Sequence, residues 1–175
     1  DTAGATVDQN VVVTITGTND TPTIDTSTAT TATGAITELS GQTGSASVDT
    51  ASGSIAFKDT DLTNTHSMSV ASTSFVWSNG TLTSTQQSAL TSAFTLGTKV
   101  DSTNSGSGTQ AWSFNLADSN FDFLAASETV TATYTVRTTD TAGATVDQNV
   151  VVTITGTNDT PTIDTSTATT ATGAI

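Results

Sequence analysis

The chain has 175 residues, 34% of them hydrophobic and 11% charged, and 16 acids against three bases give a formal net charge of -13. So acidic a chain repels phosphate, which excludes nucleic acid and anionic membrane surfaces as partners, while it attracts divalent cations. With no cysteine, disulfides are excluded too, and a bound metal is the staple open to an extracellular protein of this composition.

Residues 1–36, DTAGATVDQNVVVTITGTNDTPTIDTSTATTATGAI, recur letter for letter as residues 140–175. The resulting period of 139 residues is the size of a domain with its own core, well beyond the roughly 20 to 50 residues of a solenoid unit. The expected organisation is the last strand of a preceding repeat at 1–20, a complete β-sandwich repeat at 21–159, and the start of a following repeat at 160–175. The partners expected are therefore neighbouring identical repeats. No signal peptide or apolar span occurs in the sequence, so no membrane insertion is expected of this stretch.

In chain order, Thr6–Thr18 places Val7, Val11, Val13 and Ile15 on alternate positions, the period-2 signature of a strand buried on one face. Separated from its own domain, such a strand is expected to be disordered, to contact another molecule, or to compete with its twin near the C-terminus; the domain is otherwise expected to be monomeric. Then comes ITGTNDTPTI, Ile15–Ile24, in which Asn19 and Asp20 offer oxygens in a tight turn and Pro22 starts the next unit. The Thr-rich 21–35 segment reads as a domain junction, and Glu38 follows in GAITELSG. A short strand is predicted at Ser54–Lys58.

In FKDTDLTNTHSMSV, Asp59 and Asp61 stand two apart. At ~4 Å their repulsion is roughly 4 kcal/mol at an effective dielectric near 20, so convergence implies a cation. A strand is predicted at His66–Ala71, where the single histidine reads as packed or solvated. Ser84–Phe94 has helical spacing, with Ser84 as cap and Gln87 three residues on. Asp101–Thr109 reads as a low-complexity loop that only connects, Gln110–Leu116 as a strand, and Phe121–Ala126 as a helical turn. Thr129–Arg137 and Thr145–Thr157 alternate cleanly across the turn DTAG, with Asp140 and Gly143, and form a hairpin. The second copy of ITGTNDTPTI supplies Asn158 and Asp159. Trp77 and Trp112 read as core residues.

Short strands with polar turns predict an all-β, antiparallel β-sandwich with one short helix in an insert. The oxygen donors at turns and joints, Asn19, Asp20, Glu38, Asp59, Asp61, Asp140, Asn158 and Asp159, make Ca²⁺ the expected ion, because hard cations take oxygen ligands and this chain has one His and no Cys. Enzymatic activity is not expected: a single His supports no Ser-His-Asp set, and no Gly-rich phosphate loop precedes a helix.

Residues Trp112–Pro161 resemble the end of a VCBS repeat, and FKDTDLTNTHSMSV its beginning, while Phe75–Gly108 is less typical. VCBS repeats are similar to cadherin-like and bacterial Ig-like domains of very large RTX-type adhesins. The resemblance implies a Ca²⁺-binding extender on the bacterial cell surface, secreted by a type I route, projecting a distal ligand-binding tip. Cadherins carry a DxNDNxP linker; GTNDTP supplies its Asn and Asp, with Asp59, Asp61 and Glu38 where the DxD and early Glu ligands are expected, but Gly156 or Thr157 stands where the leading Asp belongs. Two other readings are a glycan-binding adhesion domain that uses the 75–108 insert with Trp77 as platform, and a passive acidic spacer without metal.

Overall fold

A computed structural model describes residues 2–27, 30–161 and 163. Its elements are β1 (Thr23–Ile24), β2 (Thr33–Thr37), β3 (Val48–Lys58), β4 (His66–Trp77), α1 (Ser84–Ala93), β5 (Phe94–Val100), β6 (Ser107–Ala117), a 3₁₀ turn at Asp118–Asn120, β7 (Thr129–Asp140) and β8 (Thr145–Thr155). They form two four-stranded sheets, β1-β3-β6-β5 and β2-β8-β7-β4. The chain is a two-sheet β-sandwich, antiparallel throughout except where β2 runs parallel to β8, from Thr33 opposite Val151 to Thr37 opposite Thr155.

The alternation predicted for the hairpin is what builds the core. On β7, Val130, Ala132, Tyr134 and Val136 point inward, and on β8 Val150, Val152 and Ile154 do the same, all at most 1% exposed. From the facing sheet come Ile55, Phe57, Trp112 and Phe114. Phe94, at the start of β5, stacks 4.2 Å from the Tyr134 ring and 5.8 Å from Trp112. The Tyr134 hydroxyl donates to the Leu90 carbonyl at 2.7 Å, which fastens α1 to the core without leaving a buried donor unpaired. Trp112 lies over β3 at Gly53, where a Cβ would come within 2.8 Å of the indole.

Several boundaries differ from the sequence expectation for physical reasons. The strands are longer because their polar ends carry no alternation: β3 starts at Val48, and β4 runs on to Trp77 as an exposed sheet edge. The helix is capped one residue early. Thr83 and Gln86 form the reciprocal capping box, whereas Gln87 donates to the Leu82 carbonyl. The helical turn expected at Phe121–Ala126 occurs at Asp118–Asn120. Three strands were not predicted: β1 and β2 within the presumed junction, and β5, whose first residue ended the helical pattern.

The register fixes two poles. Strand β3 pairs with β6 from Val48 opposite Ala117 to Lys58 opposite Ser107, and β7 with β8 from Thr129 opposite Thr155 to Thr139 opposite Thr145. Eleven-residue strands rising ~3.3 Å per residue separate these poles by roughly 35 Å. Residues 4–20 lie in no strand or helix. Val7, Val11, Val12, Val13 and Ile15 are 77–95% exposed there.

Candidate metal centre

The two poles use their carboxylates in opposite ways. At the entry pole, where residues 19–23 join the sandwich, every acid faces a donor. The Asn19 side-chain amide donates to Asp140 at 2.9 Å, and the Asp20 backbone N–H donates to Asp61 at 2.6 Å. Thr60 donates to Asp20, and Asn64 bridges Asn19 and Asp61. Asp140 is held below the usual carboxylate range, first by Asn19 and then, against partial burial, by the backbone N–H groups of its turn.

Beneath them His66 is buried, with Nε2 2.8 Å from Asp59 Oδ2 and Nδ1 2.7 Å from Asp101 Oδ1. The second Asp59 oxygen accepts from the Asp61 N–H. Burial pushes the Asp101 carboxyl up, but the Lys99 ammonium, the His66 amide and ring and the Ser102 amide together hold it well below its ordinary value. Asp101 and Ser102 therefore do more than connect, correcting that expectation. Ser102 Oγ stands 3.3 Å from His66 Nδ1, but Ser102 is 0% exposed, so no substrate reaches its hydroxyl. Asp59, His66, Asp101 and Lys99 thus form one hydrogen-bonded chain, ending in the Lys99–Asp101 ion pair at 2.8 Å.

The exit pole lacks such pairing. Thr37 ends β2 beside Thr155, so Glu38 turns inward there and is 2% exposed. Its Oε2 accepts from the Thr157 N–H at 2.8 Å while Oε1 has no partner. Gly156 brings Asp159 to the same place: a Cβ there would lie 2.4 Å from the Leu124 Cβ, so only glycine lets the exit strand pass under that loop. Asp118 and Asp122 come from the segment after β6, and Asp49 from the start of β3. Asp118 is 0% exposed; one oxygen accepts from the Leu39 N–H, the other is unpaired. Asp122 accepts from the Gly44 N–H through one oxygen and leaves the other bare. Both Asp159 oxygens and one of Asp49 are likewise buried without a partner.

Ligand oxygens of Glu38, Asp122 and Asp159 lie within 4.8 Å of one another. Burial, with the charges of Asp159, Asp118 and Asp122, pushes the Glu38 carboxyl up to about 7 despite the Thr157 N–H. Asp49 is raised as well, by burial and then by Asp118. Several buried acceptors aimed at one point without a donor are the complement of a bound cation, and an all-oxygen set fits a hard divalent ion.

The sequence-derived candidates thus divide. Asn19, Asp20, Asp59, Asp61 and Asp140 gather at the entry pole, and Glu38 and Asp159 at the exit pole rather than beside Asp59 and Asp61. Asn158 is exposed, with its amide on the Asp159 carbonyl. Asp49, Asp118 and Asp122 were missed. The spacing of Asp118 and Asp122 in ADSNFDF was the available signal, but that stretch reads first as a turn. Trp77 packs edge-on against Phe123 at 5.1 Å and donates to Glu128.

No family model and no curated protein matches the chain. Among solved structures it is similar to the ASH/PapD-like domain 7 of human CEP192, at 9% identity and a TM-score of 0.40, covering 89% of this chain and 99% of that one. It is also similar to the CooA pilin subunit from enterotoxigenic Escherichia coli, at 10% identity and a TM-score of 0.41, covering 81% and 100%.

Proposed function

We propose that this chain is a structural extender unit of a long bacterial surface adhesin, held rigid at its exit joint by Ca²⁺. The observation that carries the reading is the convergence of Glu38, Asp122 and Asp159, whose ligand oxygens lie within 4.8 Å of one another, with buried oxygens on these three, and on Asp118 and Asp49, that lack donors. Asp159 belongs to the segment that leaves the sandwich, so an ion bound there ties the exit linker to the body of the domain. Without the ion the carboxylates repel and the linker loosens; with it, several oxygens hold the linker at once. At a hundredfold excess over its dissociation constant a single ion adds about 2.7 kcal/mol.

The exact duplication at a period of 139 residues supports an array of identical units, each adding roughly 35 Å of reach. Extracellular placement by type I secretion and a distal ligand-binding tip follow from the resemblance to VCBS repeats. The entry pole, whose carboxylates already have hydrogen-bond partners in His66, Lys99 and amide and backbone donors, holds its shape without metal.

The test is calorimetric Ca²⁺ titration of the chain, together with thermal melts and solution scattering of a protein of two fused units, in Ca²⁺ and in EDTA. The expected result is one exit-pole ion per sandwich, a higher melting temperature and a longer, narrower particle in Ca²⁺. Equal stability and equal length in both conditions would leave the passive-spacer reading. A glycan-binding role has one supporting feature, an open groove between β4 and α1 lined by Thr73, Ser74, Phe75, Ser84, Gln87 and Ser88. Trp77 is not part of it, and glycan-array binding lost on filling that groove would favour this alternative.

A further inference from the structure

We infer that residues 158–161 are gripped from both sides at once, by the sandwich they leave and by the entry pole of an identical unit that follows. The exact repeat shows one linker twice. Residues 19–22 are seen against the sandwich they lead into, and residues 158–161 against the sandwich they leave. The two views share an internal bond: the Asn19 side-chain amide donates to the Asp20 carbonyl at 3.0 Å, and the Asn158 amide to the Asp159 carbonyl at 3.2 Å. The linker keeps this local shape in both, so docking on one side preserves what the other side needs.

The two sets of contacts fall on different atoms. The sandwich behind takes the Thr157 N–H through Glu38, the Asn158 carbonyl through the Gly41 N–H at 3.0 Å, and the Thr160 carbonyl through the Thr43 hydroxyl at 3.1 Å. The sandwich ahead takes side chains and one backbone amide. The Asn19 amide also donates to Asp140, its oxygen accepts from Asn64 at 2.8 Å, and the Asp20 N–H donates to Asp61. Pro22 is buried there, one residue before β1 pairs with β3. Among the described residues, the one group both sides use is the Asp carboxylate, by the exit-pole acids as Asp159 and by the Thr60 hydroxyl as Asp20. A carboxylate has about four lone-pair sites, enough for both.

Residues 156–161 are all that lie between β8 and the position matching the start of β1. Thr157, Asn158, Asp159 and Thr160 are each anchored, and Pro161 has its φ fixed by its ring, so no residue is left to act as a hinge. The partner that fits the entry pole is therefore another copy of this unit, and that grip needs no ion. When the exit-pole ion leaves, the linker stays with the unit ahead and the joint opens on the side of the unit behind. That a natural neighbour supplies the second unit rests on the array reading above; the fit of linker and entry pole does not.

The experiment uses the full chain and the same chain lengthened by one 139-residue period, so that a complete unit follows Pro161. Neither has a cysteine, so Val152→Cys, at a fully buried position, reports through its rate of thiol labelling how often its own unit opens. In the lengthened chain the cysteine stands at the matching position of the second unit. In EDTA, Asn158→Ala is expected to raise that rate about tenfold, because two hydrogen bonds to the second unit are lost. In the 175-residue chain with Val152→Cys, Asn158→Ala is expected to change the rate by less than about twofold, whereas Asn19→Ala raises it about tenfold. An unchanged rate for Asn158→Ala in the lengthened chain, an equal change in both chains, or an unresponsive Asn19→Ala would overturn the inference. Since EDTA removes any ion, failure of the metal reading leaves these rates as expected, and failure of the two-sided grip leaves Ca²⁺ binding intact.

Discussion

Changing Glu38 to Gln is expected to raise stability in EDTA and to lower the gain from Ca²⁺, two effects of opposite sign from one substitution. Glu38 titrates near 7 in the folded chain against an ordinary value of 4.5, chiefly because it is buried and then because Asp159, Asp118 and Asp122 surround it. At pH 8 and without metal, folding therefore forces a charge into this site at a cost of about 3 kcal/mol. Glutamine keeps an oxygen for the Thr157 N–H and removes the charge. The metal-free variant is expected to melt higher by on the order of 5–10 °C. In Ca²⁺ the gap closes, since wild type gains ~2.7 kcal/mol at a hundredfold excess whereas the variant, its ion short of a carboxylate ligand, gains little. Circular-dichroism melts of both proteins at pH 8, with and without EDTA, measure all four values. A variant that is less stable in EDTA, or one with an undiminished Ca²⁺ response, would refute the electrostatic account of the exit pole.

The remaining predictions follow from the same geometry. In EDTA, stability is expected to fall as pH rises from about 4.5 to 7, because the folded chain keeps a proton on Glu38 that the unfolded chain has released; the slope approaches 1.4 kcal/mol per pH unit and flattens with saturating Ca²⁺. Asp101 and Asp140 act in the opposite sense: their folded values are depressed, so their contribution is present above about 3.8 and is lost as pH falls further. Replacing His66 with Ala leaves Asp59 buried without its partner and is expected to cost about 3–5 kcal/mol, measured by urea unfolding, equally in Ca²⁺ and EDTA. Val152→Ala is expected to cost about 2–3 kcal/mol, and Val13→Ala in the identical local sequence under about 0.5 kcal/mol in dilute solution.

Legibility followed the kind of signal each element carries. The β7–β8 hairpin was readable because one face of each strand is buried and the other wet, so apolar residues alternate. Strand β4 was cut short because an edge strand with exposed sides has no alternation to read. The entry pole was readable because Asn19, Asp20, Asp59 and Asp61 fall in short polar motifs. The exit pole assembles Asp49, Asp118 and Asp122 with Glu38 and Asp159 from four separate stretches of chain, and no local pattern announces such a set. His66 reads as a lone histidine until the fold brings Asp101 to its other face.

By itself the sequence determined the period, the acidic oxygen-rich chemistry and the two-sheet class, because composition, repetition and alternation are local properties. The tertiary structure alone decided which acids meet partners and which meet each other. It also decided the fate of two identical strands. TVDQNVVVTIT at 145–155 is β8, with Val150, Val152 and Ile154 fully buried, while the same letters at 6–16 lie outside any strand with their valines exposed. The difference is position: one copy follows β7 by a tight turn and pairs with it, while the other leads into the opposite pole through Asn19 and Asp20.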